Sequence, residues 1–168
     1  MRHYKGLDDV LRAMPQLPDS VRLVLAGDGP KHAEWEALSR QLKLGERVTF
    51  PGDVPDAALP ALYQSADIYV LPANTRAEAF GIALLEAMAS GLPCVTTEVG
   101  SGTSYVVQNE VTGLVVPPRS PEALAQALQR LVNDSDLRTR LGAAGRERVL
   151  QHFTLERMIE RVEATYKG

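Results

Sequence analysis

Short, nearly continuous apolar runs alternate along this chain with longer stretches of helical spacing. The runs are Val21–Ala26, Val48–Phe50, Ile68–Leu71, Cys94–Thr96 and Leu114–Val116. Each is too short for a helix and lacks the apolar–polar alternation of a strand with one wet face. They are predicted as strands buried on both faces. Pro51-Gly52 should stop the second run. Between the runs, His32–Leu42 places Trp35, Leu38 and Leu42 on one side. Asp56 stands where it would cap a helix through Tyr63, with Leu59, Leu62 and Tyr63 as the apolar face. Glu78–Ser90 reads as a loop entering a helix, closed by Gly91 and Pro93. Ser120-Pro121 is a start signal for a helix lined by Leu124, Leu128, Leu131 and Val132. Thr154 is positioned to cap the last helix, with Phe153 and Met158 at hydrophobic-staple spacing. Such an alternation predicts an α/β domain with a doubly wound parallel sheet. Sheets of this kind bind ligands beyond the carboxyl ends of their strands, here the loops after Ala26, Phe50 and Leu71.

The 168 residues fit one domain spanning 1–168, and 45% hydrophobic content suffices for a core. A formal charge of −3 argues against nucleic acid as a partner. The single cysteine, Cys94, follows Pro93 inside an apolar run and reads as a small buried hydrophobe. No apolar stretch approaches the roughly 20 residues of a membrane span, and no secretory signal is visible, so a cytoplasmic location is expected. Gly27-Asp28-Gly29-Pro30 marks a turn. As a Gly-x-Gly without a third glycine, it is weak support for a mononucleotide-binding regulator.

The loop after Leu71 carries the chemistry. Gly81 lets the backbone turn closely at a helix start, and the free N–H groups near Phe80 to Ala83 would form an anion site suited to a diphosphate. Glu86 lies about 7 Å further along the helix axis at 1.5 Å per residue. A carboxylate there is suited to a sugar diol such as a ribose rather than to phosphate. It is flanked by Leu84, Leu85, Ala87 and Met88, which predicts a helix with little solvent face and a buried carboxylate that needs a partner. Glu78, just before the helix, stands on the other side of the phosphates, where it would hold a second sugar. Two solvated surface glutamates remain the competing reading of the spacing.

The stretch EAFGIALLEAMASGLPCV, residues 78–95, resembles the signature of the retaining glycosyltransferases of family 4. These have the GT-B fold, whose second, Rossmann-like domain binds the donor. That pattern is Glu, any residue, Phe-Gly, four residues, then Glu-Ala-Met-Ala-x-Gly-x-Pro. YKGLDDVLRAM, LVLAGDGP, VTFPGDV, SADIYVLPA, EVTGLVVPP and the helix after HFTLERM extend the likeness over the chain. The resemblance implies that Glu86 binds ribose hydroxyls and that Glu78 is the catalytic-site carboxylate, contacting the transferred sugar near the reacting carbon. It also implies that the backbone of Phe80, Gly81 and Ile82 holds sugar and phosphate. Lys5 would neutralise the diphosphate, and Val54 would offer backbone contacts to the base. Read without the resemblance, Lys5 is a solvated lysine at a helix start and Val54 a turn residue. The implied reaction transfers a hexosyl group with retention, without cofactor or metal, the departing phosphate helping to deprotonate a saccharide or lipid-linked acceptor. The scattered His3, His32 and His152 agree. RAEAFGIALLEAMASG together with VGSGTSYVVQNEVTGLVVPP is similar to bacterial mannosyltransferases using GDP-mannose, with UDP-sugars open. Gly100 to Ser104 has two readings, an approach to the donor and a plain turn, of which the turn is favoured.

Members of that family begin this domain with a strand followed by Gly-Arg-Leu, upstream of the lysine. Here the lysine comes at position 5, and Arg2 does not have the spacing of the family arginine. The first strand, that arginine and the acceptor-binding domain are therefore expected to be missing, which would leave the isolated chain inactive. A gap in the sheet would invite self-association. The expected partners are a nucleotide sugar and the N-terminal acceptor domain, with the parent protein peripheral at a membrane. A non-catalytic nucleotide-sugar-binding module or subunit, and a sugar-nucleotide epimerase of the same fold, are the competing functions.

Overall fold

The computed structural model describes residues 2–167. Met1 lies outside the described residues. Five parallel strands run through the described residues: β1 (Leu23–Ala26), β2 (Val48–Gly52), β3 (Tyr69–Leu71), β4 (Cys94–Thr97) and β5 (Gly113–Val116). The helices are α1 (Leu7–Ala13), α2 (His32–Gln41), α3 (Leu59–Gln64), α4 (Ile82–Ala89), α5 (Thr103–Val106), α6 (Pro121–Asn133), α7 (Ser135–His152) and α8 (Leu155–Lys167). The fold is the expected α/β class with parallel strands.

Adjacent residues of β4 show why the sheet is wound on both sides. Val95 enters a core with Val10 and Leu11 of α1, Trp35 of α2 and Leu124, Leu128 and Leu131 of α6. Its neighbour Cys94 enters a second core with Leu84 and Met88 of α4, Val106 of α5 and Val149 of α7. Successive strand residues point to opposite faces, so a continuous apolar run is what two covered faces require. Every residue of β4 is buried. Burial pushes the Cys94 thiol far above its ordinary value, so it packs as a hydrophobe.

The strands form two ladders. β1 pairs with β2, and β3, β4 and β5 form a separate set in that order. No ladder joins β1 to β3 among the described residues. On β1, Leu23 and Leu25 are buried but Val24 is 49% exposed, so only one of its faces is covered. α1 enters beside the end of β3, where a Cβ on Gly6 would come within 2.0 Å of the Pro72 carbonyl oxygen. Gly6 also sits at φ +62°, so both space and backbone require glycine.

Some boundaries differ from expectation. Pro51 and Gly52 continue β2 instead of ending it at Phe50, because Gly52 still pairs with Ala26. Asp56 caps nothing: Asp56–Ala58 is a 3₁₀ turn, and α3 starts only at Leu59 with Pro60 in its first turn. Ser120 and Thr154 do act as caps, accepting hydrogen bonds from the N–H of Ala123 and Arg157. Met158 remains 57% exposed, and α8 shows Leu155, Ile159 and Val162 to solvent.

Candidate functional site

Lys5 is placed from two sides. His3–Lys5 form a 3₁₀ turn that leads into Gly6. The loop after β3 grips this turn: Asn74 donates its backbone N–H to the Tyr4 carbonyl at 2.9 Å and its Nδ2 to the His3 carbonyl at 3.2 Å. The Nζ of Lys5 then reaches Glu78 Oε2 at 3.1 Å. The glutamate side chain is 12% exposed and the lysine 34%. A residue at the chain start and one in the third loop, separate in sequence, thus form one ion pair at the carboxyl ends of the strands.

The loop carrying Glu78 is held by a second loop, Glu98–Gly102. Ser101 Oγ donates to the Glu78 carbonyl at 2.7 Å, Gly102 N–H to the Ala79 carbonyl at 2.8 Å, and Arg76 Nε to the Gly100 carbonyl at 2.9 Å. These contacts correct the reading of Gly100–Ser104 as a simple turn. Ser101 and Gly102 clamp the loop that carries Glu78, and α5 begins at Thr103. Nothing local in the sequence shows this, because the partners are backbone carbonyls more than twenty residues away.

Gly81, at φ +84°, ends the loop and starts α4. Phe80 and Ile82 flank it, 39% and 67% exposed. The amino end of α4 therefore opens to solvent, with the partial positive charge of unpaired N–H groups. Phe80 also leans edge-on against Phe153, with ring centroids 6.0 Å apart.

Glu86 differs from expectation. It is exposed, not buried. Residues advance by about 100° around a helix, so Glu86 lies some 200° from both Leu84 and Met88, which take the core side. The expected partner nevertheless exists: Tyr63 of α3 donates its hydroxyl to Glu86 Oε2 at 2.8 Å. Partial burial, and then the hydrogen bond to Glu86, raise the Tyr63 phenol well above its ordinary value. Tyr63 had been assigned only to the apolar face of α3. Val54, half-buried, lies in the connection from β2 toward α3. The loop read as base-binding and the residue that touches Glu86 thus belong to one segment.

Among the described residues, no group of three or more His, Cys, Asp or Glu could hold a metal ion. His32 instead lies beside Glu36, its Nε2 3.3 Å from Oε1. A cleft of about 430 Å³ lies at the strand ends, lined by Asn74, Arg76, Glu98 and Arg119 among others. The larger surface cavity, about 580 Å³, lies at the α6–α7 junction. Helices after strands run back toward the amino edge of the sheet, so that cavity lies away from the site. No helix among the described residues is long and apolar enough to cross a membrane.

The chain is similar to known proteins. O-antigen chain mannosyltransferase C of Escherichia coli is 36% identical over 159 residues, covering 95% of this chain and 42% of that protein. A GDP-mannose-dependent alpha-(1-6)-phosphatidylinositol monomannoside mannosyltransferase of Mycobacterium tuberculosis is 34% identical over 172 residues, covering 98% of this chain and 44% of that protein. Sucrose-phosphate synthase from Thermosynechococcus elongatus superposes with a TM-score of 0.87 at 35% identity, over 99% of this chain and 42% of that one. The chain thus spans less than half the length of each of these relatives. Residues 1–148 match the family described as Glycosyl transferases group 1, and the chain belongs to that family.

Proposed function

We propose that this chain, as one domain over 1–168, is the donor-binding half of a retaining hexosyltransferase. Its donor is a nucleoside diphosphate hexose, GDP-mannose in first place. The observation that carries the reading is the Lys5–Glu78 ion pair beside the amino end of α4, with Glu86 further along the same helix. A diphosphate at that helix end takes Lys5 as its counter-ion and meets the first-turn N–H groups. Glu78, released from Lys5, accepts hydrogen bonds from hydroxyls of the hexose. Glu86 accepts from the ribose diol, and the backbone near Val54 faces the base. The backbone at Phe80, Gly81 and Ile82 supports sugar and phosphate.

In this reading, preorganised positive charge stabilises the leaving diphosphate as the glycosidic bond breaks. No metal or cofactor is used. An acceptor-binding domain completes the enzyme, and the acceptor is a saccharide or lipid-linked saccharide. Location in the cytoplasm, with peripheral membrane association of the parent protein, suits such an acceptor. Two mannosyltransferases among the relatives support the choice of sugar.

Calorimetric titration of the chain with GDP, GDP-mannose, UDP and UDP-glucose, with Glu86→Ala alongside, tests the proposal. Binding of one nucleotide series, weakened in the variant, is the expected result. Absence of binding to all four at millimolar concentration would sink it.

A further inference from the structure

Tyr63 belongs to no part of the signature that carries the donor reading, yet its hydroxyl meets one of that signature's two carboxylates. The bond is 2.8 Å long and ends on Oε2 of Glu86. We infer that Tyr63 is a positioning residue that fixes the Glu86 carboxylate for a vicinal diol, and so lets the site discriminate ribonucleotides from deoxyribonucleotides. The inference rests on the reading of Glu86 as the ribose contact.

The argument starts from exposure. A glutamate on the solvent side of a helix samples several rotamers, and fixing a side chain of that kind costs conformational entropy. A ligand that must order Glu86 itself loses affinity accordingly. Tyr63 orders it beforehand. Its own ring is fixed against Tyr69 of β3, edge to face with centroids 5.7 Å apart, and packs on the core that holds Leu84 and Met88. A tyrosine has only two side-chain torsions, so it is cheap to hold rigid. Since the phenol stays protonated, it donates throughout the physiological range. It occupies one lone pair of Oε2, leaving Oε1 for two hydroxyls of a ribose. Charge-assisted hydrogen bonds of this kind are stronger than neutral ones, so the donor has leverage on carboxylate geometry.

The placement of α3 adds a second consequence. The helix follows directly from the loop of Val54 and the turn Asp56–Ala58. The residue that orients the ribose contact is thus continuous, through one short helix, with the loop read as facing the base.

The test compares Tyr63→Phe with the wild type against GDP and UDP and their 2′,3′-dideoxy counterparts. Phenylalanine keeps the ring and its packing. The variant is expected to bind the better ribonucleoside diphosphate about fivefold more weakly, the loss typical of one hydrogen bond. It should bind the dideoxy compound as the wild type does. Glu86→Gln is expected to remove the ribo-over-dideoxy preference in both backgrounds, so that Tyr63→Phe has no further effect there. A purely structural role for Tyr63 would weaken both ligands equally, and that result overturns the inference. Unchanged ribonucleotide affinity in Tyr63→Phe overturns it as well. A wild-type chain that binds no nucleoside diphosphate overturns the donor reading together with this inference.

Discussion

Lys5 Nζ and Glu78 Oε2 stand 3.1 Å apart although 73 positions separate them in the chain. The pair joins the segment entering α1 to the loop entering α4. It holds a cation and an anion where a diphosphate and a sugar are proposed to bind. The lysine is partly solvated, so the pair adds little to stability, of the order of 0–1 kcal/mol. Its importance lies in what each partner does once the other is displaced.

Lys5→Ala should therefore hardly change the melting temperature but should reduce GDP affinity about tenfold, with a smaller effect on GMP, which lacks the second phosphate. The wild-type affinity should fall with added salt more steeply than that of the variant. Calorimetry at two ionic strengths measures both. Equal losses for GDP and GMP would place Lys5 away from the diphosphate.

Ser101 offers a finer test of the donor loop. Its hydroxyl donates to the backbone carbonyl of Glu78 at 2.7 Å, so Ser101→Ala loosens the residue assigned to the hexose while leaving Glu86 untouched. Affinity for the nucleotide sugar is expected to drop about threefold to fivefold, with GDP affinity unchanged. If GDP and GDP-mannose weaken together, the clamp acts on the phosphates instead.

Gly6 is expected to be intolerant. Gly6→Ala puts a methyl within 2.0 Å of the Pro72 oxygen and forces a non-glycine residue to φ +62°. The expected cost is at least about 2 kcal/mol, a fall in Tm of roughly 4–8 °C for a domain of this size. Thermal unfolding followed by circular dichroism gives the number. An unchanged Tm would mean that α1 does not approach β3 as closely as described.

Asp9 gives a pH signature. It is 8% exposed in the first turn of α1. Burial first, and Asp8 second, raise its carboxyl above the ordinary value, while Arg12 and Arg119 oppose them. A raised carboxyl means that the folded state holds the proton more tightly than the unfolded chain. Its stabilising effect is complete below the unfolded value near 3.8 and is lost as pH rises through the folded one. Asp9→Asn should melt about 1–3 °C higher than wild type at pH 7, and the difference should vanish toward pH 3. A difference that grows on acidification contradicts this sign.

Particular residues show how far sequence reasoning reached. Cys94 and Val95 enter opposite cores, as a run buried on both faces demands, whereas β1 is recognised by its apolar run although Val24 faces solvent. Gly81 and the apolar run after it announced α4 and its open end. The burial of Glu86 was misjudged because its neighbours in sequence are apolar, whereas a helix turns its second neighbours away. Asp56 had the chemistry of a cap, but Pro60 delays the helix beyond its reach. Tyr63, Ser101 and Asn74 act through contacts 23 to 71 positions away, which no local pattern encodes.

The break between β1 and β3 also governs how the domain comes apart. Without a shared ladder, the β1–β2 pair is tied to β3–β4–β5 by side chains, Leu23, Leu25 and Trp35 packing with Val95 and Leu114 in one core. Amides of Leu23–Ala26 are expected to exchange at a lower free energy than those of Cys94–Thr97, which pair on both sides. A donor bound as proposed, its base on the loop after β2 and its diphosphate on α4, would span both strand sets. Its occupancy is expected to sharpen the melting transition as well as raise its temperature.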